Sequence, residues 1–314
     1  MRTLLAVAVL CITGCSRYAD FTLPPPDPSG PRGPFHWSAM PNPVIDRGDA
    51  VDVLNPSVVR SGGESVNFYS RYDGKAWSTM RATSTDFVTW QNRAPVDLPS
   101  EGGMAANGSL LAMGTDLMYW YEAGAPPHIA LKGQAVLTAG PLGGFDEIAV
   151  ADPDVIRASG APGGARFFLY YLGQDRAQRQ RLGVAQSTDG IHWTKFRDNP
   201  ILEPGPPGSF DERGVGEPAV WTSGGSYWML YTGRARDETR RIGLAKSADG
   251  VHWQRDTSFP PIAGDQPWNR AVMCDPSVEV LAGKIRVWFG GGDVPRPDQN
   301  IHGQIGMGFL FSLR

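Results

Sequence analysis

A short pattern recurs five times along the chain, and a repeat of that size constrains the fold more than any other feature. The copies are Leu54-Asn55-Pro56-Ser57-Val58-Val59, Ala106-Asn107-Gly108-Ser109-Leu110-Leu111, Ala151-Asp152-Pro153-Asp154-Val155-Ile156, Gly216-Glu217-Pro218-Ala219-Val220-Trp221 and Cys274-Asp275-Pro276-Ser277-Val278-Glu279. Each sets an amide or a carboxylate before Pro or Gly and then enters a β-forming stretch. The key residues are 52, 45, 65 and 58 residues apart, the size of a small sheet with its turns. The register extends upstream. Phe145, Phe210 and Trp268 lie seven residues before Asp152, Glu217 and Asp275, and Asp49, Asp146, Asp211 and Asn269 lie six before their own key residue.

A second, aromatic strand is expected after each key residue: Val66 to Tyr72, Leu117 to Glu122, Phe167 to Leu172, Tyr227 to Thr232 and Ile285 to Phe289. β-Branched and aromatic residues at this density favour strand over helix. Third strands follow at Ser78 to Ser84, Ile129 to Gln134, Leu182 to Ser187, Ile242 to Ser247 and Gln304 to Phe311. Three of these run into a turn and a Trp: Asp86 to Trp90, Asp189-Gly190-Ile191-His192-Trp193 and Asp249-Gly250-Val251-His252-Trp253. Gly accepts the positive φ of a tight turn, so these Asp, His and Trp residues are read as turn and packing residues.

The pattern predicts an all-β chain, a five-bladed β-propeller with the key residues starting the strands that line its axis. Composition agrees. Hydrophobic residues make up 41%, which rules out wholesale disorder, and 39 Gly with 27 Pro suit many short strands and turns. The last repeat has three strands before Arg314. Phe35-His36-Trp37 through Ile45 resembles Ile191-His192-Trp193 through Leu202, so residues 35–45 are expected to pair with the last blade and close the ring. One domain is then expected over 35–314.

The N-terminus reads as an export signal. One Arg precedes an apolar run from Leu4 to Ile12, too short to span a bilayer, and Ile12-Thr13-Gly14-Cys15 resembles a bacterial lipobox. Residues 1–14 are expected to be a lipoprotein signal peptide, Cys15 the lipidated residue, and the Pro-rich stretch 15–34 a tether. The expected location is the cell envelope, lipid-anchored at the outer membrane or the periplasmic face. Only Cys274 then remains, so no intrachain disulfide is expected. A net charge of −3 without a basic run argues against nucleic-acid binding.

On the axis, Asn55, Asn107, Asp152, Glu217 and Asp275 form a polar funnel suited to a hydroxyl-rich ligand. Here the chain resembles the five-bladed propeller glycosidases of glycoside hydrolase family 43, arabinanase- and xylosidase-like, and more distantly the invertases and levansucrases. Those families place a base or nucleophile Asp on the first blade, an Asp that orients the acid on a middle blade, and a Glu as general acid on the next. The resemblance implies that Glu217 is the acid and Asp152 the orienting residue. Asn55 departs from the pattern, because an amide neither takes a proton from water nor attacks an anomeric carbon. Asp275, Asp49 or Asp52 are the candidate replacements. Phosphate in place of water is another route, with Arg213, Arg270 and His302 as its candidate pocket.

The carbohydrate is expected to be held by Asn55, Asn107, Arg213, Arg270 and a stacking aromatic, Trp120, with Tyr121 and Trp268 as further candidates. No cofactor is required for this chemistry. The resemblance also implies a calcium or other ion on the axis near His302. The function expected is an exported glycan-active protein, a glycoside hydrolase working by acid–base catalysis. The alternatives are a glycan-binding propeller lipoprotein without hydrolysis and a glycoside phosphorylase.

Overall fold

A computed structural model describes residues 17–158 and 160–313. The signal segment 1–14 and Cys15 lie outside the described residues. After β1 (Tyr18–Ala19) and β2 (Phe35–Ala39), the strands come in antiparallel meanders that follow the sequence repeat. The first holds β3 (Asp52–Ser61), β4 (Glu64–Tyr72), β5 (Trp77–Ser84) and β6 (Gln91–Pro95). The next holds β7 (Met104–Met113), β8 (Asp116–Ala123), β9 (His128–Leu131) and β10 (Gln134–Leu137). Then come β11 (Ala149–Arg157), β12 (Phe167–Gln174), β13 (Gln180–Ser187) and β14 (Thr194–Phe196). They are followed by β15 (Gly214–Ser223), β16 (Ser226–Arg234), β17 (Arg240–Ser247) and β18 (Trp253–Arg255). The last group is β19 (Val272–Val280), β20 (Lys284–Gly292) and β21 (Gln304–Ser312), and β2 pairs antiparallel with β21 from Phe35↔Ser312 to Ala39↔Gly308.

Short parallel bridges join the meanders, as at Trp77↔Met104, Gln180↔Gly214 and Arg240↔Val272. Hydrogen bonds thereby link the strands into sheets of 13 and 8, neither closed on itself. The first strands pack against one another as β3 with β7, β7 with β11, β11 with β15, β15 with β19 and β19 with β3. Among the described residues the one helical element is a short 3-10 turn at Pro162–Gly164.

The upstream register has a packing reason. Phe145 lies where a Cβ on Gly173 or Gly183 would come within 2.4 and 2.5 Å of its ring. Phe210 lies likewise on Gly233 and Gly243, and Trp268 on Gly291 and Gly306. Paired glycines on the second and third strands thus seat the aromatic. One residue on, Asp146 accepts from Tyr171 Oη at 3.0 Å and Lys195 Nζ at 2.5 Å, and Asp211 from Tyr231 Oη at 3.1 Å and Arg255 Nε at 2.8 Å. These two buried carboxylates tie the loops before β11 and β15 to the strands behind them.

The Asp turns are structural, as read. Asp189 Oδ1 accepts from the N–H groups of Ile191 and His192, Asp249 Oδ1 does the same for Val251 and His252, and Asp86 Oδ1 for Val88 and Thr89. Trp253 Nε1 donates to Gly250 O at 3.0 Å, which folds the indole back into the core. One strand boundary differs from expectation. Lys132 and Gly133, at φ 52° and 81°, make a two-residue reversal, so Gln134 opens β10 instead of ending the third strand. Positive φ at both central residues is what a tight hairpin needs.

The Pro-rich segment is packed along the body, where the sequence alone suggests a tether. β1 runs parallel to β14, Phe21 packs on Phe196 with ring centroids 5.3 Å apart, and Leu23 is buried. Pro24 O accepts from Tyr227 Oη at 2.7 Å, and Ser29 O and Asp27 O accept from Gly224 and Gly225. Phe35 then enters the core against Trp228 at 5.0 Å. Truncating a buried aromatic costs roughly 3–5 kcal/mol. Phe35→Ala is therefore expected to lower unfolding stability by about that amount in urea titration, with β2 released from β21.

Candidate active site

Every key residue sits at an interruption of its first strand. The pairing register shifts between Leu54 and Ser57, Ala106 and Ser109, Ala151 and Asp154, Gly216 and Ala219, and Cys274 and Ser277. These are β-bulges. The residue at each bulge is left-handed, with φ of 49° at Asn55, 48° at Asn107, 47° at Asp152, 50° at Glu217 and 51° at Asp275. Asn and Asp tolerate that region, whereas Glu enters it at a cost. Bulges re-aim side chains, and strained backbone clusters at functional sites. The Pro or Gly that follows explains the motif, because those backbone positions have left the ladder.

The bulges are stitched to one another. Asn55 N donates to Asp275 Oδ2 at 3.3 Å, and Asn107 N to Ser70 Oγ at 2.8 Å. Asp275 N donates to Glu217 Oε2 at 3.0 Å and Thr232 Oγ1 at 3.2 Å. One step further along the strands, Ser57 Oγ accepts from Leu110 N, Ser109 Oγ from Val155 N, Asp154 Oδ2 from Val220 N and Ser277 Oγ from Val58 N. Ala219, at the equivalent position, has no such atom. The lone Asp in this set is pushed up to a pKa of about 7 by burial.

All five key residues line one cavity of about 690 Å³, the size range of small-molecule sites. Asn55 and Asp275 are paired, with Asn55 Nδ2 donating to Asp275 Oδ1 at 2.9 Å. Asp275 Oδ2 also takes the Cys274 thiol at 3.1 Å. Burial, then the neighbouring Glu217 charge, holds the Asp152 carboxyl well above the usual carboxylate range. Burial followed by Glu217 does the same for Asp275. Burial also raises the Cys274 thiol strongly, which leaves it protonated and inert as a nucleophile.

Several expected residues stand elsewhere. Trp120 is fully buried, its Nε1 donating to Gly190 O at 2.8 Å and its ring packed on Phe167, so it cannot stack on a sugar. Tyr121 is equally buried, and Trp268 lies against Phe289. Arg213 and Arg270 are exposed and do not line the cavity. His302 also lies off it, with Nδ1 2.8 Å from Asp293 Oδ1. Asp49 pairs with Arg71, and Asp52 accepts the N–H groups of Asn300, Ile301 and Gly303. Neither reaches the cavity. Near the axis, Glu217, Cys274 and Asp275 bring ligand atoms within 4.8 Å of one another. Calcium takes about six to eight oxygen ligands, and a set with a protonated thiol does not fit it.

The cavity also holds residues that motif reading missed. Arg240 is buried there, its Nη2 donating to the carbonyls of Arg296 and Pro297. Arg234 pairs with Glu238 and lies 3.9 Å from Asp298. Tyr72 and Trp77 stack at 5.0 Å on the cavity wall. Glu122, on β8, is buried, accepts from Asn107 Nδ2 at 3.2 Å and lines the same space. A signal for it was present. Ser70, Glu122, Thr232 and Gly290 each follow their key residue by 15 positions, and Leu172 holds the same pairing position after an insertion.

Burial raises the Glu122 pKa to about 7. The folded chain then binds this proton more tightly than the unfolded chain does. Its stabilising effect is complete below the unfolded value near 4.5 and disappears as pH rises through about 7. Urea midpoints are expected to fall between pH 5 and pH 8, and Glu122→Gln is expected to flatten that slope.

The fold has close relatives in shape. Beta-1,2-mannobiose phosphorylase from Listeria innocua superposes with a TM-score of 0.68 at 12% identity, covering 89% of this chain and 97% of that one. A thermostable family-43 glycoside hydrolase gives 0.61 at 14%, covering 82% and 88%. These likenesses establish the propeller fold. In sequence, the chain is 30% identical over 173 residues to an uncharacterized protein of Mycobacterium tuberculosis, Rv1502, with 51% of this chain and 53% of the relative aligned. The chain thus spans about half the length of the curated relatives it matches. The model of the glycosyl hydrolases family 32 N-terminal domain matches residues 65–269, a stretch holding Asn107, Asp152 and Glu217 but starting after Asn55 and ending before Asp275. The superfamily read from the repeats is the one found, and within it the chain belongs to the glycosyl hydrolases family 32 N-terminal domain family.

Proposed function

We propose that this protein is a glycoside hydrolase acting on an oligo- or polysaccharide in the propeller cavity, with Glu217 as general acid. The observation that carries the reading is the convergence of Asp152, Glu217 and Asp275 on one cavity, each held by a left-handed bulge. Hydrolysis of a glycosidic bond passes through an oxocarbenium-like state that needs a proton on the leaving oxygen. The Asp275 N–H on Oε2 orients the Glu217 carboxyl in the cavity. Asp152, whose carboxyl is held well above the usual carboxylate range chiefly by burial, serves as its partner and as a donor to a sugar hydroxyl. Asp275 braces Asn55, and Asn55 and Asn107 offer amides to the ring. Tyr72 and Trp77 provide the aromatic surface that Trp120 cannot.

The same reading takes the repeats as five blades and the chain from 35 to 314 as one domain. It is supported by the order of first-strand contacts, by Ser277 Oγ accepting from Val58 N, and by the pairing of β2 with β21. The chain is further proposed to be exported and anchored to the cell envelope through a lipid on Cys15, on the strength of Leu4 to Ile12 and the residues up to Cys15. Phosphorolysis is less well supported. Arg234 and Arg240, the arginines on the cavity, are engaged by Glu238 and by backbone carbonyls.

Acid–base assistance is worth about 10²–10⁴-fold. Glu217→Gln is expected to lower kcat on an oligosaccharide by that range while sugar binding, followed by calorimetry, persists. Wild-type protein without turnover on a broad glycan panel, with or without phosphate, would favour a binding module. Cys15→Ser is expected to move the protein from the membrane fraction to the soluble fraction. Retention in the membrane pellet would contradict lipid anchoring.

A further inference from the structure

We infer that Glu122 is the base that activates water in this site, occupying from the second strand of its repeat the role that Asn55 cannot fill from the first. The inference rests on the hydrolase reading above and adds a residue to it. Asp275, the other candidate, is already committed: Oδ1 takes Asn55 Nδ2, and Oδ2 takes Asn55 N and the Cys274 thiol. A carboxylate bound on both oxygens within its own repeat neighbourhood is a brace for the amide.

Glu122 is placed differently. Its Oε2 takes Asn107 Nδ2 at 3.2 Å, a fixed donor that orients it at the cavity wall. It lines the same cavity as Glu217. The repeat shows that the position does not need a carboxylate for folding. The equivalent residues are Ser70, Leu172, Thr232 and Gly290. Ser70 already meets the local need there, accepting Asn107 N through a hydroxyl. A buried acid is the costliest of these choices, since burial opposes its charge. It sits in the second repeat, beside the repeat of Asn55, and its own axial residue, Asn107, is also an amide.

The step balances without a co-reactant. Glu122 removes a proton from water as the water oxygen bonds to the anomeric carbon. The glycosidic C–O bond breaks, and its electron pair takes the proton from Glu217. Exchange with solvent then returns the proton from Glu122 and restores that of Glu217.

The test uses the full chain with 2,4-dinitrophenyl glycosides, whose leaving group needs no proton. Glu122→Gln is expected to lose about 10²–10⁴-fold in kcat on such a substrate with KM little changed, while Glu217→Gln keeps most of its rate. Sodium azide, a nucleophile with no proton to lose, is expected to restore turnover to Glu122→Ala and to yield a glycosyl azide. Melting curves of both Glu122 variants serve as the control for folding. Active wild type with Glu122→Gln within threefold of it overturns this assignment and leaves the hydrolase reading intact. A folded Glu122→Ala that azide does not rescue reduces Glu122 to a positioning residue and likewise overturns it. Wild type silent on every glycoside overturns the hydrolase reading and this assignment with it.

Discussion

The left-handed bulge on each first strand is the constraint on which the site depends. A regular strand would point successive side chains alternately to either face of its sheet. The bulge breaks that alternation and turns one amide or carboxylate towards the axis, with φ near 50° at every copy. The backbone N–H groups freed by the break must be satisfied, since a buried unpaired donor is expensive. They are satisfied by side chains of neighbouring repeats, as when Asp275 N reaches Glu217 and Asn55 N reaches Asp275. Folding and the placement of the acids are therefore one event.

That coupling brings like charges together. Asp152, Glu217, Asp275 and Glu122 share one cavity, and burial with mutual repulsion holds protons on Asp152 and Asp275 well above the usual carboxylate range, while Glu122, raised to about 7, is available in its ionised form near neutral pH. Arg240 offsets part of the cost, its guanidinium being buried among these acids and anchored to the loop carbonyls of Arg296 and Pro297. A site that keeps some of its carboxyls protonated near neutral pH is suited to donating protons and hydrogen bonds to sugar oxygens.

Away from the axis the molecule is held by packing. Phe145, Phe210 and Trp268 lie on glycine pairs, and the Pro-rich segment lies along β14, Tyr227 and the β15–β16 turn. The strap is legible only in part from sequence. Proline says that a segment is extended and lacks donors, but not what it lies against. Leu23 and Phe21 are the apolar residues that bind it to the body.

Local sequence determined the strands, their turns and the repeat, because alternation, Asp turns and the bulge motif act over a few neighbouring residues. Asn55, Asn107, Asp152, Glu217 and Asp275 were readable as one set for that reason, and tertiary structure brought them to one cavity. What required the folded chain was the identity of neighbours distant in sequence. Trp120 looked like a ligand platform, but its aromatic character is equally that of a core residue, and only packing against Phe167 and Gly190 decides between them. Arg213 and Arg270 carry the right charge on the wrong face, whereas Arg240 is carried to the cavity by the third strand of its repeat. Glu122 lies outside the key motif, and its place follows from cross-strand pairing, which sets a residue 15 positions downstream beside the bulge.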